Sequence, residues 1–157
     1  MRQGVRVGVD VGRARIGVSR SDPDGMLALP VETVQRADDG SDIARIQALA
    51  TELGAVEAIV GLPLSLSGAH TASTDDAVAF ASRLADVCGI PVRLVDERLS
   101  TVSAQSALRA SGRTTRNSRS VVDQAAATVI LQHALDAERS SGRPPGELAA
   151  PSIGPSS

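Results

Sequence analysis

The chain has 157 residues, 42% of them hydrophobic, and a net charge of −2 from sixteen basic and eighteen acidic side chains. This length predicts one domain with a full core, and no apolar run approaches the ~20 residues of a membrane span. The near-neutral charge argues against a broad surface that binds nucleic acid indiscriminately, and the single cysteine, Cys88, cannot form an internal disulfide.

The N-terminal part of the chain predicts three antiparallel strands. Valines at every second position over residues 5–11 have the period of a strand with one apolar face, which leaves Asp10 on the other face. Residues 16–21 and 27–34 form the second and third strands, and Pro30 favours an edge or a bulge in the third. The N-terminus enters the first strand at once and lacks the regions of a signal peptide, so we expect a soluble, cytoplasmic protein.

Helices and strands alternate in the middle of the chain. The predicted elements are helix 43–53, strand 58–60, helix 74–88, strand 91–95 and a short helix 100–111. Gly54 is placed to end the first of these helices. Ser73 and Asp76 have the spacing of a capping box for the second.

The last third of the chain predicts a loop, a long helix and a tail. Residues 112–119 have no periodicity, whereas residues 121–137 have a helical apolar face that must lie on the sheet. Of the final eighteen residues, twelve are Pro, Gly or Ser, which is typical of a disordered tail. The whole pattern predicts an α/β fold, with a mixed five-stranded sheet of three antiparallel and then two parallel strands flanked by helices. The domain covers residues 1–138, and residues 139–157 form the tail.

Three acidic residues lie at the ends of different predicted elements. Asp10 follows the first strand, Glu97 ends the last strand, and Asp123 opens the long helix. Carboxylates that converge raise one another's pKa unless cations lie between them. Two divalent ions held by oxygen ligands can promote hydrolysis of a phosphodiester, so the trio suggests a nuclease.

Each acid also has a structural interpretation that the sequence leaves open. Asp10 can form a turn at the end of a strand, and Asp123 stands three residues after Ser120 in a capping arrangement. Asp96 and Glu97 are adjacent and face opposite sides of an extended strand, so at most one of them is a direct ligand. The sequence does not decide which one.

Positive charge is concentrated between residues 98 and 122, which contain five arginines and no acid. Together with Arg15, these side chains are candidates for nucleic-acid binding: Arg98, Arg109, Arg113, Arg116 and Arg119. The alternative is a solvated loop beside an acidic site. Phe80 is the only aromatic residue, so any nucleic acid is held through its phosphates and shape and not by base stacking.

Four segments of the chain resemble the signature segments of the YqgF or RuvX-type proteins, a bacterial ribonuclease H-like group. In order, they read DVGRARIGV, GLPLSLSG, VDERLST and DQAAATVILQ. The resemblance runs from Val5 to Leu135. It implies that Asp10, Glu97 and Asp123 are catalytic, metal-binding carboxylates, with Mg²⁺ or Mn²⁺, two ions in all, as the cofactor.

The same resemblance implies an endonuclease that matures the 5′ end of precursor 16S rRNA. The first alternative function is resolution of Holliday junctions in DNA. The second alternative is a non-catalytic module that binds nucleic acid or regulates another process. The loop reads GLPLNMDG in that family, whereas Ser65 and Ser67 replace its Asn and Asp here. An actin-like ATPase would need a second domain to enclose its nucleotide, so this function is not expected. We expect the protein to be a monomer or a weak homodimer.

Overall fold

The computed structural model describes residues 3–65, 67–97 and 118–149. The strands are β1 (Arg6–Val11), β2 (Arg15–Ser21), β3 (Ala28–Gln35), β4 (Glu57–Leu62), β5 (Val92–Asp96) and β6 (Glu147–Leu148). The helices are α1 (Ser41–Leu53), α2 (Ala72–Cys88) and α3 (Ser118–Ser141). The predicted helix 100–111 lies outside the described residues. None of the described helices is long and apolar enough to cross a bilayer.

All the described strands form one mixed sheet in the order β3-β2-β1-β4-β5-β6. The first three strands are antiparallel, and β4 and β5 run parallel to β1. Short antiparallel hairpins followed by helix-linked parallel strands produce this arrangement, because a parallel partner needs a crossover connection. The predicted α/β fold with its mixed, helix-flanked sheet is confirmed.

Within the described part of the chain the sheet has six strands, not the predicted five. Strand β6 pairs antiparallel with β5, and the N–H of Ala149 donates to the carbonyl of Val92 over 2.8 Å. Helix α3 continues to Ser141 and β6 covers Glu147–Leu148, so both reach into the stretch that was predicted to be a disordered tail. A two-residue strand at a sheet edge needs only unpaired backbone groups, so composition gives no sign of it. Residues 150–157 lie outside the described part of the chain.

The two faces of the sheet pack against different helices. Alternate residues of β1, such as Val7 and Val9, join the main core with α1 and α2, where Phe80 and Leu84 are buried. The other face packs against α3 in a smaller cluster, made by Ala28, Ile59, Ile130, Leu131, Ala134 and Leu135. Asp10 belongs to the α3 face because side chains alternate along a strand.

Pro30 lies at an irregularity in β3, which is an edge strand of the described sheet. Val18 pairs with Glu32 while Ser19 pairs with Pro30, so Val31 is an extra residue in β3. Pro30 has no N–H to donate, and edge strands and bulges tolerate that loss. The prediction of an edge or a bulge at Pro30 is confirmed.

The helix ends agree with the sequence in one case and differ in the other. Gly54 ends α1 with a φ of 63°, in the left-handed region that glycine adopts without strain. The capping box of α2 is made by Thr71 and Thr74, not by Ser73 and Asp76. Residues 71–76, TASTDD, offer two overlapping positions for a capping box of the same spacing. Asp76 does not cap the helix but accepts a hydrogen bond from Arg36 over 2.8 Å.

Candidate functional site

The three predicted acids lie at one end of the sheet. Asp10 is the second-last residue of β1, and Glu97 directly follows β5. Strands β1, β4 and β5 are parallel, so their carboxyl ends meet at the same edge, which is where α/β sheets place ligand sites. Asp123 reaches this edge from helix α3, which crosses β1, β2 and β3.

Helix α3 lies directly on the sheet at two glycines. A Cβ on Gly17 would overlap the carbonyl oxygen of Asp123, and a Cβ on Gly8 would come within 2.9 Å of the carbonyl oxygen of Ala127. The hydroxyl of Ser19 donates to the same Ala127 carbonyl over 2.8 Å. Since no side-chain layer separates helix and strands here, the backbone of Asp123 is held beside the strand that pairs with Asp10.

Asp10 and Glu97 are in direct contact. Burial, the charge of Glu97, a hydrogen bond with Glu97 and the charge of Asp123 together raise the pKa of Asp10 to about 8. Burial also raises the pKa of Glu97. The two carboxyl groups therefore share a proton when no cation is present, as expected for close acids in a site of low polarity.

Glu97 has room for its carboxyl group because β4 carries a glycine at that point. A Cβ on Gly61 would lie 3.1 Å from Oε2 of Glu97. Asp96 instead lines an open cavity of about 420 Å³ with residues that include His70 and Glu147. Of the two adjacent acids that the sequence left open, Glu97 is thus the one that meets Asp10.

Asp123 has a different partner. Nε of Arg15 donates to its Oδ2 over 2.8 Å, and the two side chains are 26% and 18% exposed. The next residue, Gln124, donates from Nε2 to the hydroxyl of Thr33 over 3.0 Å. Helix α3 is therefore tied to both β2 and β3 beside the acid. Asp123 also lies beyond the first turn of the helix, so the capping interpretation does not apply to it.

The acids converge without forming a closed ligand set. Among the described residues, no three His, Cys, Asp or Glu side chains are arranged to hold one metal ion. The cause is visible in the pairing, because Asp10 and Glu97 bond to each other while Asp123 bonds to Arg15. Carboxylate oxygens are nevertheless the donors that Mg²⁺ and Mn²⁺ prefer, so the residue types fit such an ion.

The turn after Asp10 is anchored by a residue that the sequence did not single out. Nη1 of Arg36 donates to the carbonyl of Gly12 at 2.9 Å, and the same guanidinium makes two hydrogen bonds to Asp76. It also lies 3.6 Å from the buried carboxylate of Asp42 and over the ring of Phe80. Arg36 therefore joins the turn to α1 and α2, and no local spacing indicates this role.

The loop after β4 is closed by its own serines. The hydroxyls of Ser65 and Ser67 lie 2.9 Å apart, and the N–H of Ala69 donates to Oγ of Ser65 over 3.0 Å. The hydroxyl of Thr74 donates to the carbonyl of Pro63, which ties the loop to the start of α2. The two serines that depart from the family pattern thus serve the loop's own structure.

Most of the predicted nucleic-acid-binding arginines fall outside the part of the chain that the structure describes. Arg98, Arg109, Arg113 and Arg116 lie outside the described residues, and only the backbone of Arg119 is described. Arg15 is the one member of the set whose side chain is placed, and it lies at the site.

Comparison with known proteins gives one family. A family model, RuvX, described as Holliday junction resolvase, matches residues 4–137. A protein of Leifsonia xyli is 66% identical over 155 residues, which cover 99% of this chain and 100% of the relative. One from Clavibacter michiganensis is 65% identical over 149 residues, covering 94% and 92%. Both relatives bear the name "Putative pre-16S rRNA nuclease".

A solved structure has the same fold. T. thermophilus RuvC in complex with a Holliday junction substrate superposes with a TM-score of 0.56 at 18% sequence identity. The match covers 92% of this chain and 99% of that one. At this identity the likeness concerns the fold alone.

Proposed function

Because the chain belongs to the RuvX family, we propose that it is a metal-dependent endonuclease that matures the 5′ end of precursor 16S rRNA. The observation that carries this proposal is the convergence of Asp10, Glu97 and Asp123 at the carboxyl end of the sheet. Relatives that are 66% and 65% identical bear the name of a pre-16S rRNA nuclease, which supports the choice of substrate.

The three carboxyl groups would hold Mg²⁺ or Mn²⁺, two ions in all. Ions bound there would lower the pKa of an attacking water and stabilise the charge that develops on the phosphate oxygens. The raised pKa of Asp10 supports this assignment, since acids gathered without a cation retain a proton that an ion would displace.

The residues of the chain contribute position and charge. Asp10 must release the proton that it shares with Glu97 before both can act as ligands. The close contact of α3 with Gly17 keeps Asp123 within reach, so little rearrangement is needed when substrate arrives. Arg15 brings a positive charge to the same place, which suits the developing negative charge of a cleaved phosphodiester.

A four-way DNA junction is the alternative substrate. The description of the family favours it, and the fold is shared with RuvC. Both substrates offer phosphates to basic side chains, whereas RNA also offers 2′-hydroxyl groups for recognition. A non-catalytic module that only binds nucleic acid is the remaining alternative.

Cleavage by purified protein tests the proposal. The substrates are a precursor 16S 5′-end RNA and a synthetic four-way junction, each with Mg²⁺, with Mn²⁺ or with EDTA. We expect metal-dependent cleavage of the RNA, and a loss of at least roughly 100-fold in Asp10→Asn and Glu97→Gln. Asp96→Asn is the matched control for Glu97→Gln and should retain activity.

Each of the other possible outcomes of the cleavage experiment leads to a different conclusion. Equal cleavage by the wild type and Asp10→Asn would place the chemistry elsewhere and overturn the assigned site. Cleavage of the junction but not of the RNA would establish the alternative substrate. Tight binding of either substrate with no cleavage under any metal condition would support the non-catalytic module.

A further inference from the structure

Arg15 holds one of the three acids through a single nitrogen. Its Nε donates to Oδ2 of Asp123, and this is the one hydrogen bond of its side chain within the described residues. The backbone of Arg15 is fixed on both sides, since its carbonyl accepts from Gly12 over 2.9 Å and its strand pairs it with Gln35. The side chain therefore extends from a rigid base toward Asp123.

The two ends of the ion pair differ in how they are held. Asp123 is constrained through its backbone by the contact with Gly17, but its carboxylate can rotate about the Cα–Cβ and Cβ–Cγ bonds. Arg15 is about one quarter exposed, so its long side chain can move into solvent at low cost. The pair can thus open without displacement of β2 or α3.

From this geometry we propose that Arg15 is a resident counter-charge, which occupies Asp123 in the cation-free protein and must release it before a divalent ion binds there. The inference rests on the proposed function, because it assumes that Asp123 is a metal ligand. It accounts for the absence of a closed ligand set among the described residues. In this proposal, Arg15 and the ion compete for the carboxylate of Asp123, one oxygen of which already accepts from Nε of Arg15.

Release of Asp123 also changes what Arg15 can bind. A guanidinium has five N–H donors in a planar fork that matches the oxygens of a phosphate. Once the ion holds Asp123, all five donors of Arg15 are available to a phosphate of the substrate. Arg15 therefore couples the two binding events, with the ion preceding the phosphate contact.

Metal binding without substrate tests this competition. Mn²⁺ affinity is measured by calorimetry for the wild type, Arg15→Ala, Arg15→Gln and Arg15→Lys. We expect both neutral variants to bind Mn²⁺ roughly fivefold more tightly than the wild type, the lower end of typical coupling between sites. Arg15→Lys keeps the charge and should stay close to the wild type.

Arg13 provides the matched control. It lies two residues away in the same exposed turn, and its charge acts on Asp76. Arg13→Ala removes one positive charge from the same region, yet we expect less than a twofold change in Mn²⁺ affinity. In an Asp123→Asn background, Arg15→Ala should no longer tighten binding beyond the effect of Arg13→Ala.

The outcomes separate this inference from the proposed function. If the wild type binds no Mn²⁺, the metal-dependent function fails and the competition fails with it. If the wild type binds Mn²⁺ but Arg15→Ala and Arg15→Gln bind equally well or more weakly, only the counter-charge is wrong. Weaker binding would mean that Arg15 orients Asp123 for the ion. Thermal melts of each variant establish that it is folded.

Discussion

The carbonyl oxygen of Asp123 lies against the Cα of Gly17, so that any Cβ at residue 17 would overlap it. Gly17 pairs directly with Asp10 across the first hairpin. One backbone contact thus sets the distance between two acids that are more than one hundred residues apart in the chain. The site depends on the packing of α3 as much as on the acids themselves.

Gly17→Ala should disturb both the fold and the site. The added methyl group meets backbone atoms, which cannot move aside as a flexible side chain would, so we expect a loss of about 3 kcal/mol in the free energy of unfolding. Urea denaturation measures the loss, and Mn²⁺ calorimetry should show weaker binding because Asp123 is displaced. Gly54→Ala is the control, since it meets no atom within 4 Å and strains only a left-handed residue, at about 1 kcal/mol. Equal effects of the two substitutions on metal affinity would refute the positional role of Gly17.

Asp10→Asn should stabilise the metal-free protein at pH 8. The pKa of Asp10 is about 8 in the folded protein and 3.8 as its ordinary value, so between these limits the folded state binds the extra proton. The stability that depends on this group is therefore present at low pH and is lost as the pH rises toward 8. The asparagine has no such proton, and we expect its Tm in EDTA to exceed that of the wild type by roughly 5 °C at pH 8. The difference should shrink toward pH 5.

Asp22→Asn is a control with the opposite sign. Backbone N–H groups, that of Leu27 first, lower the pKa of Asp22, so its contribution is present above the ordinary pKa and is lost as the pH falls. This variant should be less stable than the wild type at neutral pH. If Asp10→Asn also lost stability at pH 8, burial and the charges of Glu97 and Asp123 would not raise the pKa of Asp10 in the folded protein.

The sequence predicted those features that depend on local periodicity. The alternation of valines in β1 placed Asp10 on the face opposite the main core, and the structure has it there. The end of α1 at Gly54 and the irregularity at Pro30 were predictable because each depends on the backbone of one residue. The ends of parallel strands meet at one edge, so the convergence of Asp10 and Glu97 also followed from the order of elements.

Features that depend on distant contacts were not predictable. Arg15 and Asp123 are 108 residues apart, as are Ser19 and Ala127, and no spacing within either segment indicates their pairing. The role of Arg36 was missed for the same reason. The start of α2 was misjudged because two overlapping threonine, serine and aspartate registers are locally equivalent, and only the contact of Thr74 with Pro63 distinguishes them.

Arg36→Ala should be strongly destabilising. Asp42 is 1% exposed and lies 3.6 Å from Nε of Arg36, so the substitution leaves a buried carboxylate without this partner. Breaking such a pair typically costs about 3 kcal/mol or more. Arg45→Ala is the control, because its pair with Glu32 is open to solvent and should change stability little. Urea denaturation of both variants compares them, and similar losses would show that Arg36 does not anchor the turn after Asp10.

Removal of residues 142–157 should affect the protein more than removal of residues 150–157. The longer deletion removes β6 and with it the N–H of Ala149 that bonds to Val92, as well as the carbonyl of Pro145 that accepts from Arg93. Two or three lost hydrogen bonds of about 1 kcal/mol each correspond to a fall in Tm of roughly 5 °C. The shorter deletion removes only part of the segment whose composition predicts disorder, and we expect a Tm close to that of the full chain.

The longer deletion should also weaken cleavage. Without β6, the outer edge of β5 loses the strand that pairs with it among the described residues, and Glu97 is the first residue beyond the end of β5. Fraying of β5 would therefore move Glu97 away from Asp10, whose contact depends on the position of the strand end. We expect metal-dependent cleavage to fall in the longer deletion and to persist in the shorter one. If both deletions matched the full chain in Tm and cleavage, β6 would be dispensable and β5 would hold Glu97 through its pairing with β4 alone.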